Sequence, residues 1–176
     1  LKKIRISRPD LPLFSVPALL GACLMIRFST FERLNGFDER FFFFLEETDF
    51  CVRVRKIGEL VVFAPYTKII HDQGMTIRKA WIPGRIEYNI SLLKFIRKYH
   101  SGFYVNLFVF IRFSKTLLNL LFFMIFPFLL ISTKKRKTFR YYMNLFFWFL
   151  KGLPDDYGLK RLNSSSNFQG QILSQG

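Results

Sequence analysis

The stretch FFFFLEETDFCVRVRKIG, residues 41–58, sets the reading of this chain. From Glu46 onward it has the period of a helix. Phe50, Val54 and Ile57 recur at i, i+4 and i+7 and so share one face, and Gly58 stands where a left-handed C′ residue is expected. Its start is unusual, because Glu46, Glu47 and Asp49 place three carboxylates within four residues. Like charges this close repel one another. A helix N-terminus offsets part of that cost, since its free N–H groups and its dipole favour anions by about 0.3–1 kcal/mol each. Acidic residues are therefore ordinary in a first helical turn. The four Phe ahead of them are not ordinary. They are a poor start for an exposed helix and a reasonable wall for a cleft.

Ahead of this stretch, residues 21–26, GACLMI, form a short apolar run with the pattern of a buried strand. Ser29 or Thr30 can cap a short helix that ends at Gly36. Phe37 to Leu45 reads as a loop. After the helix at Glu46–Ile57, Leu60–Ala64 and Thr67–Ile70 are β-rich runs separated by Pro65, and His71 follows the second of them beside Asp72 and Gly74. A histidine at a strand end serves as a metal ligand, a general base or a hydrogen-bonded structural residue. The order strand, helix, loop, helix, strand, strand is that of an α/β fold.

Charge divides the chain. Residues 1–80 carry 13 basic and 9 acidic side chains, whereas residues 81–176 carry 14 basic and 3 acidic, so most of the formal net charge of +15 lies in the second half. Twelve of the 24 Phe fall between Phe103 and Phe149, in that same half. The expected organisation is an α/β domain over residues 1–80, a basic, Phe-rich, membrane-associated helical region over 81–162, and a disordered tail over 163–176, rich in Ser, Gln and Asn. The boundary falls near Trp81-Ile82-Pro83-Gly84. So much apolar surface excludes disorder for most of the chain. Two cysteines, Cys23 and Cys51, exclude a disulfide scaffold; both lie in apolar runs and read as reduced core residues. Because residue 1 is Leu, the chain is expected to be part of a longer protein.

Thr116 to Ser132 holds 17 residues without a charge, interrupted by Asn119 and Pro127. A spanning helix needs about 20 apolar residues. Arg112 and Lys115 flank the run on one side and Lys134–Lys137 on the other. The expectation is monotopic insertion, with Phe and Leu in the acyl boundary, Lys and Arg at anionic head groups, Pro127 near a bend, and Tyr141–Leu150 as a second interfacial helix. A nucleic-acid module is disfavoured: the cations border Phe/Leu runs instead of interleaving with spaced aromatics, and no DNA- or RNA-binding motif is visible. A membrane adaptor without catalysis stays open.

The series of residues 21–27, GACLMIR, 31–42, FERLNGFDERFF, 46–53, EETDFCVR, Gly58 and 70–74, IHDQG, resembles the C-terminal half of a family 2 glycosyltransferase of the bacterial rhamnosyltransferase-like group. The resemblance covers residues 15–80. It implies a partial GT-A fold followed by membrane-associated helices. It also implies an inverting transferase that moves a sugar from a nucleotide-sugar donor to a lipid-linked or other glycan acceptor, at the cytoplasmic face of the cell membrane, in polysaccharide or cell-envelope synthesis. Such chemistry needs a carboxylate as general base against the acceptor hydroxyl. The family's second acidic position maps onto Glu47, although Glu stands where Asp is commoner, so the roles of Glu46 and Glu47 stay open between them. Glu46, Asp49, Gly21 and Arg78 would contact acceptor or donor. His71 would be one ligand of a divalent metal, Mg2+ or Mn2+. The chain has no Asp-x-Asp motif and no N-terminal nucleotide-binding half, so residues 1–176 alone are expected to be inactive.

Overall fold

The computed structural model describes residues 3–4, 12–66, 69–72 and 80–160. They divide into two compact units, Leu1–Lys79 and Ala80–Gly176. Arg78 and the tail from residue 163 lie outside the described residues.

In the first unit the strands are two residues long and antiparallel. β1 (Lys3–Ile4) pairs with β4 (His71–Asp72), placing Ile4 opposite His71. β2 (Phe14–Ser15) pairs with β3 (Val62–Phe63), and the Phe14 and Phe63 rings meet at 5.4 Å. The Val16 N–H donates to the Val61 carbonyl at 2.9 Å and extends that ladder by one rung. Two helices lie between: α1 (Phe28–Arg33) and α2 (Glu46–Lys56).

The α2 helix ends as its sequence requires. Gly58 adopts φ +81°, its N–H donates to the Arg55 carbonyl at 3.1 Å, and the Glu59 N–H donates to the Val54 carbonyl at 3.2 Å. These are the two bonds of a Schellman motif, which satisfies carbonyls that the helix leaves free. The buried face of α2 is Phe50, Cys51 and Val54, packed with Val61 and, from α1 and its flanks, Ile26, Phe31 and Leu34. Ile57, expected on this face, is exposed instead. Residues 21–26 form turns, not the expected strand, and Met25 is fully exposed. An apolar run becomes a strand only where a neighbouring strand takes its backbone hydrogen bonds, and among the described residues this one has none. Cys51 is buried as expected, but Cys23 lies on the surface.

The second unit is helical. α3 (Trp81–Tyr99), α4 (Gly102–Ile125) and α5 (Thr133–Leu150) pack on one another, and a 3-10 turn over Pro127–Ile131 joins the last two. Pro83 falls in the first turn of α3, where a missing N–H costs nothing. The core is two matched stripes at i, i+4, i+7: Ile86, Ile90 and Leu93 from α3 against Tyr141, Leu145 and Trp148 from α5. The Trp148 indole N–H donates to the Pro154 carbonyl at 3.0 Å. Glu87 is fully buried, and its carboxylate accepts the Leu159 N–H at 2.8 Å, tying the segment after α5 back to α3.

The chain is thus mostly helical, with α/β character confined to short strand pairs in the first unit. Helix α4 differs from the expected uncharged run. It begins at Gly102, so Arg112 and Lys115 lie inside it and do not flank it. At 1.5 Å per residue its 24 residues reach about 36 Å. Among the described residues it is the one helix long and apolar enough to cross a membrane. Its outward side chains include Phe110, Leu118 and Met124, all more than 60% exposed.

Candidate functional site

The acidic cluster is built on a strained turn. Phe44 and Leu45 both adopt left-handed backbone angles, φ +69° and +66°, immediately ahead of α2. Neither side chain favours that region, and each such residue costs about 1–2 kcal/mol. Two in succession are held only by surrounding structure, a pattern that gathers at functional positions. The Leu45 carbonyl accepts the Asp49 N–H at 2.8 Å and opens the helix.

The three carboxylates then take different environments. Asp49 is fully buried, and Arg53 one turn later bonds it through Nε at 2.8 Å. The other two guanidinium nitrogens of Arg53 donate to the carbonyls of Leu34 and Gly36, each at 2.7 Å. A single cation therefore links the start of α2 to the end of α1. Asp49 shows no surface to a ligand and acts on the site by holding the helix.

Glu47 is half-buried and lies against Gly21: a methyl group on Gly21 would sit 3.5 Å from Glu47 Cγ and 3.6 Å from Cδ. Burial pushes the Glu47 carboxyl above the ordinary 4.5. Its own N–H bonds the carboxylate and pulls the other way, the neighbouring Glu46 charge pushes up, and the N–H groups of Gly21 and Thr48 pull down. The outcome is a carboxylate held by backbone donors yet more basic than a free one, which is the condition a general base needs. Glu46 is half-buried beside it, and its Oε2 is buried without a hydrogen-bond partner among the described residues.

His71 sits on β4, half-buried, and among the described residues no hydrogen bond or ion pair joins it to the carboxylates. The structure therefore brings Gly21 to Glu47 and separates Asp49 from both in role. Among the described residues no three His, Cys, Asp or Glu side chains converge as a metal cage. Of the described residues, His71 would supply one ligand to a divalent ion. A cavity of about 500 Å³, lined by Leu19, Leu24, Ile26, Phe50 and Val61 among others, lies elsewhere in this unit; none of the acidic residues at the α2 start, nor His71, lines it. Arg53 holds the start of α2 in place, and its i+4 spacing from Asp49 is a signal visible in the sequence.

Over 86 residues, 49% of the chain, the sequence is 31% identical to N-acetylglucosaminyl-diphospho-decaprenol L-rhamnosyltransferase from two strains of Mycobacterium tuberculosis, of which those residues cover 28%. Over 51 residues it is 37% identical to the rhamnosyltransferase WbbL of Escherichia coli K12, covering 29% of the chain and 19% of that protein. The chain is a weak homologue of rhamnosyltransferases. Those enzymes are family 2 glycosyltransferases. The chain spans less than a third of the length of the curated relatives it matches. No family model and no solved structure matches it.

Proposed function

We propose that this chain is the acceptor-side part of an inverting glycosyltransferase of the GT-A type, acting in polysaccharide or cell-envelope synthesis. The observation that carries the reading is Glu47: a carboxylate of raised basicity, held by backbone N–H groups at a strained helix start, within a chain similar to rhamnosyltransferases. In the proposed reaction the acceptor hydroxyl gives its proton to the Glu47 carboxylate as its oxygen attacks the anomeric carbon of a nucleotide-sugar donor. The new glycosidic C–O bond forms as the bond to the nucleoside diphosphate breaks, and the leaving group departs with that electron pair. Proton removal by a positioned base is worth about 10²–10⁴ in rate. Glu46, with its unpartnered Oε2, would receive a sugar hydroxyl. Gly21 would keep the wall beside Glu47 thin.

The acceptor is proposed to be a glycan on a lipid diphosphate, because one of the similar proteins is named for a diphospho-decaprenol substrate. The α4 helix would hold the enzyme on the cytoplasmic face of the membrane. Its exposed Phe and Leu side chains supply the apolar area. Arg112 and Lys115 within it would each cost about 2.5–3.5 kcal/mol at a bilayer centre, which favours a shallow, monotopic seat over a simple span. A divalent ion would need ligands beyond the described residues, with His71 as one; when bound it would offset charge on the leaving diphosphate.

Comparing Glu47→Gln with Glu46→Gln in a transfer assay of the full-length enzyme tests the assignment. The first variant should lose about 10²–10⁴ in turnover, and the second should mainly raise the acceptor KM. The reverse ranking would make Glu46 the base.

A further inference from the structure

We propose that the helical unit Ala80–Gly176 carries a binding site for a phosphate or diphosphate group, formed by Arg85, Arg112 and Lys115 with the hydroxyls of Tyr141 and Tyr142. A cavity of about 60 Å³ lies among these side chains and Thr116. That is room for a few waters or for one tetrahedral oxyanion. Three cations line it and no carboxylate does. Among the described residues none of the three takes part in an ion pair. Like charges gathered around one small space repel one another, and the repulsion is relieved when an anion enters.

Two of the three cations are held by neighbouring side chains. Arg85 lies over the faces of Trp81, at 5.1 Å, and Tyr141, at 4.9 Å. Arg112 donates one terminal N–H to Asn89 Oδ1, while its Nε is buried without a partner among the described residues. Asn89 is itself held by donating to the Arg85 carbonyl at 2.6 Å and to the Tyr141 hydroxyl at 3.2 Å. The Tyr141 hydroxyl accepts that bond and keeps its own proton to donate. The Thr116 hydroxyl donates to the Arg112 carbonyl at 2.8 Å and so shapes the wall without offering a proton.

Arg112 sits on the side of α4 that carries Thr116, Leu120 and Phe123 into the bundle, opposite the exposed apolar face. A cation turned inward from a largely apolar helix is costly unless it meets hydrogen-bond acceptors or an anion. Three positive charges and two hydroxyl donors suit an anion with several charges spread over several oxygens, and guanidinium groups match phosphate oxygens in pairs. The exposed cations of Lys134–Lys137 are a separate feature, suited to bulk attraction by anionic lipid. The phosphate comes either free in solution or as a lipid head group; only the choice of lipid probe below rests on the transferase reading.

The test is binding by the full chain in a neutral detergent, so its outcome is independent of the Glu47 transfer assay. Calorimetric titration with inorganic diphosphate should saturate. Lys115→Gln, an exposed position, and Arg85→Gln should each weaken it by about tenfold. The double variant Lys134→Gln/Lys135→Gln should leave it unchanged. Flotation with phosphatidylcholine vesicles carrying a polyprenyl phosphate identifies the source. Association that free diphosphate displaces supports a lipid head group, and titration without added vesicle binding supports a soluble phosphate compound. No saturable diphosphate binding, or binding that Lys115→Gln and Arg85→Gln leave intact, overturns the site.

Discussion

Glu47 lies against Gly21, close enough that a methyl group on the glycine would meet Glu47 Cγ at 3.5 Å and Cδ at 3.6 Å. Gly21 takes no left-handed angle, so its use is space: it lets the turn at residues 21–22 pass close to the carboxylate and offer its N–H. Gly21→Ala makes only an ordinary van der Waals contact and should leave folding and most activity in place. Gly21→Val adds branches where Glu47 lies and should displace it, lowering turnover by an order of magnitude or more with little change in melting temperature. Thermal unfolding and transfer rate, measured on both variants, check this.

Asp49 and Arg53 should govern stability. Asp49→Ala leaves the Arg53 guanidinium without its buried counter-charge while it still holds the Leu34 and Gly36 carbonyls. Removing one partner of a buried pair costs about 3–5 kcal/mol; the partial exposure of Arg53 puts this one near the lower end. Chemical denaturation of the first unit should show that loss. A loss below about 1 kcal/mol would show that the link is incidental.

Glu87 predicts a pH dependence. Burial raises its carboxyl above 4.5, against the N–H groups of Leu159 and Lys160 and the charge of Lys94, while Asp155 adds to the rise. A carboxyl with a folded value above its unfolded value binds its proton more tightly when folded, so stability from this group falls as pH rises from the unfolded value through the folded one, then levels. Glu87→Gln should remove that slope and raise the melting temperature of the helical unit at neutral pH relative to the parent. An unchanged slope would assign it to other groups. Gln keeps an oxygen for the Leu159 N–H.

Much of the first unit is legible in its residues because its determinants are local. The helix at 46–56, its Gly58 stop and the short helix before Gly36 follow from local spacing, although Ser29 and Thr30, the expected caps, lie inside α1, whose N-cap is Arg27 with no side-chain hydrogen bond. Residues 21–26 are not legible, because a strand depends on a partner that the sequence does not display. The extent of α4 is hidden for a similar reason. Arg112 and Lys115 look like the end of an apolar segment, yet α4 runs through both, and the Arg112–Asn89 bond to α3 spans 23 residues that no periodicity links. At the candidate site, the residue types at Glu46, Glu47 and Gly21 mark the place. The paired left-handed angles at Phe44 and Leu45 leave no sequence signal, since neither residue prefers them.

In the proposed reaction Glu47 takes the proton from an acceptor alcohol. The direct measurement is the single-turnover rate of sugar transfer by the full-length enzyme carrying Glu47→Gln, at saturating donor and acceptor and near neutral pH. A rate lowered by about 10²–10⁴ with donor binding intact is the expected result. A rate within a few-fold of the parent would contradict it.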